Sequence, residues 1–152
     1  MTHDISLEGL SRLIVEHECT ALVLAAANLT DSGQYEALAA LFSDHAVLVR
    51  PNGDELEGRE SIISAYAGRA PERISRHLIL NTQFTSVTSD IATSVSQVLL
   101  WAGNRNDEPG PFGRPIRGPQ IVGKFEDTFA HTNAGWKIER RHASFDLFSS
   151  ES

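Results

Sequence analysis

Two ionisable side chains, those of Asp31 and His77, are of types that together can remove a proton from carbon. An imidazole is the natural base near neutral pH, and a carboxylate beside it fixes its tautomer and stabilises the imidazolium. Loss of a leaving group from the adjacent carbon then gives a double bond, and no serine or cysteine nucleophile is required. A plainer interpretation is also open: Asp31 precedes a turn and is typical of a cap residue. His77 follows Arg76 and fits an ordinary polar strand position.

One cluster has the composition of a metal site: His17 stands among Glu16, Glu18 and Cys19. The cluster lies in a predicted helix, where consecutive residues point in different directions and cannot converge on one ion. The sequence has neither a His-Glu-x-x-His motif nor paired Cys-x-x-Cys motifs, which are typical of zinc sites. We therefore predict no metal.

The N-terminal half of the chain is predicted to be mainly helical. Apolar residues recur at helical spacing between positions 7 and 29, Ser6 is a candidate N-cap, and the pattern breaks at the turn 30–33. A short helix over 34–42, a strand over 46–49, a turn over 51–54, a return strand over 55–57 and a third helix over 60–68 follow. Asp31 therefore stands where the first helix ends.

The C-terminal half is predicted to be β-structure. Strands are expected over 76–84, 91–101, 121–131 and 136–145, with a hairpin turn at 132–135. His77 lies early in the first of them. Helices first and long antiparallel strands later are typical of an α+β fold.

The segment 104–119 stands apart, because it holds four of the six prolines and three glycines. Long unstructured loops are uncommon and often cover sites. We expect this segment to be more mobile than the strands it joins, and to lie near a cavity mouth or a subunit contact. An ordinary long hairpin loop is the alternative.

Length and charge exclude several classes of protein. The chain has 152 residues, a formal net charge of −7 and one cysteine, Cys19. The negative charge argues against nucleic-acid binding, and the lone cysteine excludes an internal disulfide and fits a reducing compartment. No signal peptide is visible, and the most apolar stretch, 21–29, is shorter than the roughly 20 residues of a membrane span. We predict one domain over 1–152, located in the cytoplasm, with no membrane partner.

Five segments, in this order, resemble the SnoaL-like superfamily, also called NTF2-like. They are 31–42 (DSGQYEALAALF), 43–47 (SDHAV), 56–62 (LEGRESI), 76–81 (RHLILN) and 135–141 (GWKIERR). The second usually has aspartate where this chain has His45. No segment is specific alone, but the ordered set covers nearly the whole chain. The fourth is similar to the dehydratase-like branch, which includes scytalone dehydratase, bile-acid 7α-dehydratase, hexachlorocyclohexane dehydrochlorinase and the β subunits of ring-hydroxylating dioxygenases.

The resemblance implies a cone-shaped fold, in which three N-terminal helices pack on a strongly curved, mostly antiparallel sheet around one cavity. It also implies chemistry without metal or organic cofactor, carried by an Asp–His pair, and Asp31 and His77 match those positions. One departure is clear: the family's dehydratases often carry a tyrosine where this chain has Ala26 or a close neighbour. A mechanism in which that phenol polarises a carbonyl is therefore in doubt, whereas a dehydrochlorinase-like mechanism does not depend on it.

The cavity is expected to be lined by large aromatic residues and by the last strand. The candidates are Phe42, Tyr66, Trp101, Phe125 and Phe129, although core packing is the commoner role for any one of them. Arg141 and His142 are both candidates from the last strand, because strict alternation puts them on opposite faces and does not say which face is inside. An apolar substrate, aromatic or polycyclic, fits such a wall.

Three functions remain open at this point. The first is a cofactor-free lyase or isomerase, dehydratase-like, acting through Asp31 and His77 on a small molecule. The alternatives are a non-catalytic small-molecule binding module and an assembly protein similar to the dioxygenase β subunits, which residues 27–41 also resemble. Fold alone does not decide among them. We expect a homodimer, with a trimer as the next choice, because an open curved sheet leaves an outer face to cover.

Overall fold

Three helices and six strands make up the computed structural model, which describes residues 7–150. In chain order they are α1 (Gly9–Asp31), α2 (Tyr35–Ala39), β1 (Phe42–Val49), β2 (Glu55–Glu57), α3 (Arg59–Ala67), β3 (Arg73–Val87), β4 (Ile91–Asn104), β5 (Ile121–Thr132) and β6 (Gly135–Phe148). The predicted order of elements is confirmed. Ser6, the predicted N-cap of the first helix, lies outside the described residues.

The strands form one mixed sheet in the order β2-β1-β6-β5-β4-β3. Four of its five pairings are antiparallel, and only β1 and β6 run parallel. Register shifts interrupt the β3–β4, β5–β6 and β1–β6 ladders, and each such bulge adds local bend and twist. The helices pack on the concave side of this curved sheet, so the predicted α+β architecture is confirmed.

Helix α1 supplies the face that the sheet covers. Its buried positions recur every three or four residues, as a helix packed along one side requires: Val15, Cys19, Val23, Ala26, Ala27 and Thr30. Leu10 and Leu13, part of the predicted apolar stripe, are instead exposed. Helix α1 is long and apolar enough to cross a membrane, so the apolar stretch extends beyond the predicted range 21–29. Core helices of soluble proteins can be equally long and apolar, so this composition alone does not indicate a membrane span.

The end of α1 places Asp31 against β3. Gly33 has a φ of 74°, a left-handed conformation that glycine adopts freely, and it lets the chain leave the helix at once. The Gln34 amide then donates to the carbonyl of Leu29 at 3.0 Å, and α2 begins at Tyr35. Asp31 is consequently the last residue of α1, and it lies beside the start of β3.

The convex side of the sheet carries exposed apolar side chains. Leu78, on β3, points away from the helices because it alternates with inward-facing His77 and Ile79. Trp101 and Ile116 border the same outer depression, and Leu147 lies exposed on β6. We propose that a second copy of the chain covers this face, because a two-fold axis brings identical apolar patches together.

A homodimer is therefore expected in solution. Sedimentation velocity at micromolar concentration should give a dimer for the native chain, and Leu78→Asp should shift it toward monomer because the charge would be buried at the contact. Leu10→Asp, at an exposed site on α1, is the matched control and should leave the dimer intact. A native chain that is only monomeric would contradict self-association, and a trimer would contradict the two-fold arrangement.

Candidate functional site

A cavity of about 410 Å³ lies between α1, β1 and the concave face of the sheet. Its size is typical of small-molecule sites, which are mostly apolar with a few polar groups. The apolar part of the wall includes Ala26, Ala27, Leu48, Val98, Leu100 and Phe125. The ionisable part includes His77 and several arginines.

The carboxylate of Asp31 and the ring of His77 are joined directly: Oδ1 lies 2.6 Å from Nδ1. Oδ2 of the same carboxylate accepts from the backbone N–H of His77 at 2.8 Å, and Oδ1 also accepts from the Ser75 hydroxyl at 2.9 Å. Only 11% of the Asp31 side chain and 12% of the His77 side chain are exposed. The two residues of the Asp–His pair that the resemblance implies are therefore joined by a hydrogen bond.

The ring of His77 faces the cavity, and Asp31 lies behind it, bordering a smaller depression. A carboxylate acceptor favours the tautomer in which Nδ1 carries the proton, so that Nε2 has a free lone pair. Within residues 7–150 no hydrogen bond engages Nε2. The arrangement thus presents an unoccupied basic nitrogen to the cavity and holds its orientation from behind.

The pKa of Asp31 is set by opposing influences. Burial acts to raise it, but the hydrogen bonds and charge of His77, with the bond from Ser75, outweigh burial and lower the pKa below its ordinary value of 3.8. A carboxyl with a lowered folded-state pKa stabilises the fold above its unfolded pKa, and that stabilisation is lost as pH falls through the folded-state pKa. Asp31 therefore contributes stability at neutral pH that strong acid removes.

Asp31→Asn should accordingly lower the free energy of unfolding at neutral pH. Below pH 3.8 the difference in unfolding free energy between the native chain and the variant should become progressively smaller. Urea unfolding of the native chain and the variant across this range measures the gap between them. Asp146→Asn, at an exposed position of β6, is the control, and its difference in unfolding free energy from the native chain should not shrink in the same way as the pH falls. A gap that stays constant with pH would contradict the stabilising role of the Asp31 carboxylate.

A buried ion pair supports the far wall of the cavity. The Arg141 guanidinium binds both carboxylate oxygens of Asp127, at 2.7 and 2.9 Å, and lies over the ring of Phe125 at 4.0 Å. Two parallel bonds of this kind fix the guanidinium plane. Arg141 therefore lines the cavity as a rigid group whose charge is already compensated.

Among residues 7–150, no group of three or more His, Cys, Asp or Glu side chains is placed to hold a metal ion. The cluster around His17 is spread around α1: Cys19 is buried, whereas His17 and Glu18 are exposed. Burial raises the pKa of the Cys19 thiol to about 12, so this sulfur stays protonated and is a poor ligand.

A sequence profile of the SnoaL-like domain matches residues 11–142. The chain belongs to the SnoaL-like family. No curated protein matches the sequence significantly.

Solved structures share the fold at low sequence identity. A type 2 hexachlorocyclohexane dehydrochlorinase is 16% identical, with a TM-score of 0.77, covering 94% of this chain and 93% of that one. A candidate scytalone dehydratase from Novosphingobium aromaticivorans is 19% identical, with a TM-score of 0.73 and coverages of 95% and 93%. An NTF2-like protein with a cystatin-like fold from the same organism is 19% identical, with a TM-score of 0.62, covering 91% of each chain. At these identities the similarity establishes the SnoaL-like fold.

Three predicted lining residues, Tyr66, Phe125 and Arg141, lie on the wall of this SnoaL-like cavity. Phe42 and Phe129 do not, and their prediction as lining residues was wrong. They are 1% and 0% exposed and pack in the closed part of the core, where Phe129 lies against Phe84 at 6.2 Å between ring centroids. Their apolar character suited both places, and the sequence pattern did not separate a filled core from an open cavity.

Trp101 was also wrongly predicted to line the cavity, and of the two open candidates from the last strand Arg141 lines it and His142 does not. Trp101 points to the convex side of the sheet, because its neighbour Leu100 faces the cavity. His142 is exposed and lies 3.8 Å from Glu126. A register shift in the β5–β6 ladder, where Phe129 pairs with Ile138 and Thr128 with Arg140, carries the inward face from Ile138 to Arg141.

Residues 104–119 turn away from the cavity, none of them lining it. The Arg117 amide donates to the Ala102 carbonyl at 2.8 Å, which folds the segment back over the convex side beside Trp101. The segment therefore forms no part of the cavity wall. Mobility and a subunit contact remain predictions for this segment.

Sequence reasoning missed Ser75 and Asp127. Ser75 shares a strand face with His77 two residues later, so alternation could have found it. Asp127 occupies an inward position between Phe125 and Phe129, and a carboxylate among apolar residues signals a buried partner.

Proposed function

We propose that the protein is a cofactor-free lyase or isomerase in which His77 removes a proton from a carbon atom of the substrate. The observation that carries this proposal is the 2.6 Å contact between Asp31 Oδ1 and His77 Nδ1, made by a ring whose other nitrogen faces the cavity. A base oriented by a buried carboxylate suits general-base catalysis, which contributes about 10²- to 10⁴-fold to a rate.

The proposed step uses the groups of this chain alone. Nε2 of His77 takes the proton, and the C–H electron pair forms a carbon–carbon double bond as a leaving group departs from the neighbouring carbon. The imidazolium, stabilised by Asp31, returns the proton to the departing hydroxyl to give water. In an isomerisation no group leaves: the C–H electron pair is delocalised over the substrate until the imidazolium returns the proton to another carbon. Ala26, rather than a tyrosine, occupies the α1 side of the wall, so no phenol from α1 takes part.

The substrate is proposed to be a small, largely apolar molecule with an aromatic or polycyclic frame. The apolar lining supports this, as does the planar surface that Phe125 and the stacked Arg141 offer to a ring. Little water remains beside a substrate in a site of this size, and exclusion of water strengthens the electrostatic role of Asp31.

The step can be tested before the natural substrate is known. 5-Nitrobenzisoxazole needs only one base: removal of its single isoxazole C–H proton forms a nitrile, breaks the N–O bond and releases a coloured phenolate. We expect saturable turnover and a primary isotope effect when that hydrogen is deuterium. A rate no greater than that of free imidazole at the same concentration would contradict the proposal and favour a binding module without chemistry.

A further inference from the structure

The charge on the cavity wall is opposite to that of the chain as a whole. The formal net charge of the protein is −7. Yet Arg50, Arg69, Arg73 and Arg141 line the cavity, together with Lys124, and among residues 7–150 no aspartate or glutamate does. A cavity lined by one sign of charge concentrates ligands of the opposite sign.

Three of these four arginines are uncompensated. Arg141 is neutralised by Asp127 through two hydrogen bonds. The guanidinium groups of Arg50, Arg69 and Arg73 form no ion pair with any carboxylate in the described part of the chain, although carboxylates outnumber cations in the sequence. The cavity wall therefore carries positive charge, from these three arginines and from Lys124, that no ion pair within residues 7–150 neutralises.

Local structure holds two of these side chains together. The guanidinium carbons of Arg69 and Arg50 lie 5.0 and 5.8 Å from the centre of the Tyr66 ring, within cation–π range. After α3 the chain turns twice, with the Arg69 amide donating to the Tyr66 carbonyl and the Arg73 amide to the Ala70 carbonyl, both at 3.1 Å. These turns bring Arg73 to the part of the cavity wall that holds Arg50 and Arg69, which we call the arginine rim.

The arginines also act on one another. Burial lowers the pKa of Arg73, the positive charge of Arg69 lowers it further, and the negative charge of Asp31 offsets only part of this, so the net shift is downward. The remaining repulsion between the two arginines is unfavourable, and a bound anion relieves it. Guanidinium groups match planar or tetrahedral oxyanions with paired N–H donors.

We propose that the substrate carries an anionic group, a carboxylate or a phosphate, held by Arg69 and Arg73 with Arg50 beside them. This inference rests on the proposed function for the position of the reactive carbon at His77. The apolar frame would then span the cavity from the arginine rim toward Phe125, so that binding of the anion orients the carbon that loses its proton.

Binding of matched probes tests the inference without turnover. We would measure 1-naphthoate, 1-naphthyl phosphate and neutral 1-naphthamide by calorimetry at low and high salt. At least one anion should bind about 10- to 100-fold more tightly than the amide, the range of a charge-assisted hydrogen bond, and the tighter anion identifies the group. High salt should weaken the binding of the anions and leave the affinity for the amide unchanged.

Arg69→Gln and Arg73→Gln, singly and together, should lower anion affinity and spare the amide. Arg140→Gln is the matched control, because Arg140 neighbours Arg141 in sequence but is exposed outside the cavity. Circular dichroism and thermal melts verify that each variant folds, and a double variant that fails to fold leaves the two single variants to decide. Anions that bind no better than the amide, including the case in which no probe binds, or a preference that survives the arginine substitutions, would overturn the inference.

The same measurements separate this inference from the proposed function. If the chain prefers the anions but never accelerates proton removal, the anion site is supported and the proposed lyase function is contradicted. A chain that turns over 5-nitrobenzisoxazole without any preference for anions would keep the base and lose the anion site.

Discussion

His77→Ala should reduce turnover of 5-nitrobenzisoxazole by about 10²- to 10⁴-fold, the contribution of a positioned general base. The ring is the only imidazole on the cavity wall within residues 7–150, and no carboxylate lines that wall. The variant should stay folded, because removal of the ring leaves α1 and β3 joined through the bond from the His77 amide to Asp31 at 2.8 Å.

Asp31→Asn should cost less than His77→Ala, because it removes the charge and disturbs the tautomer but keeps the base. The matched control is His142→Ala, which deletes an exposed histidine outside the cavity and should leave the rate unchanged. Steady-state kinetics of all three variants, with thermal melts as a check on folding, decide the matter. Equal rates for the native chain and His77→Ala would remove the catalytic role of this residue.

The sequence carried much of the fold because its local signals agreed with one another. The turn at Gly33, the Pro51–Asp54 turn and the hairpin turn ending at Gly135 each fall between elements of the predicted type. Gly33 and Gly135 have positive φ values, so these signals had a direct physical basis. The boundaries were less accurate: β3, β4 and β6 all extend beyond the predicted ranges.

The position of Asp31 and His77 could be predicted because both lie at the ends of strongly signalled elements. The choice between Arg141 and His142 could not be made from the sequence, because a β-bulge adds one residue to β6 and exchanges the two faces beyond it. No propensity marks that position, so alternation alone cannot predict it. The arginines of the cavity wall were equally hidden, because Arg50 follows β1, whereas Arg69 and Arg73 lie between α3 and the start of β3, and only the tertiary fold brings them to one cavity.

Of all single substitutions on the cavity wall, Arg141→Met should lower the stability most, because it breaks the ion pair between Arg141 and Asp127. Arg141→Met removes the only ion-pair partner that Asp127 has within the described residues and leaves a carboxylate whose side chain is 0% exposed. Loss of one partner from a buried pair costs about 3–5 kcal/mol of unfolding free energy. Methionine keeps an apolar contact with Phe125, so the cost should come mainly from the unpaired charge.

A second substitution separates charge from packing. In Arg141→Met with Asp127→Val no charge remains, and most of the lost stability should return, since apolar replacements of buried pairs are often neutral or stabilising. Arg140→Met is the control: its guanidinium is exposed and lies 3.9 Å from Glu55, so its loss should cost about 0–1 kcal/mol. Urea unfolding of the four chains gives all the values. A double variant as unstable as Arg141→Met alone would show that shape, and not the isolated carboxylate, is what Arg141 contributes to the wall.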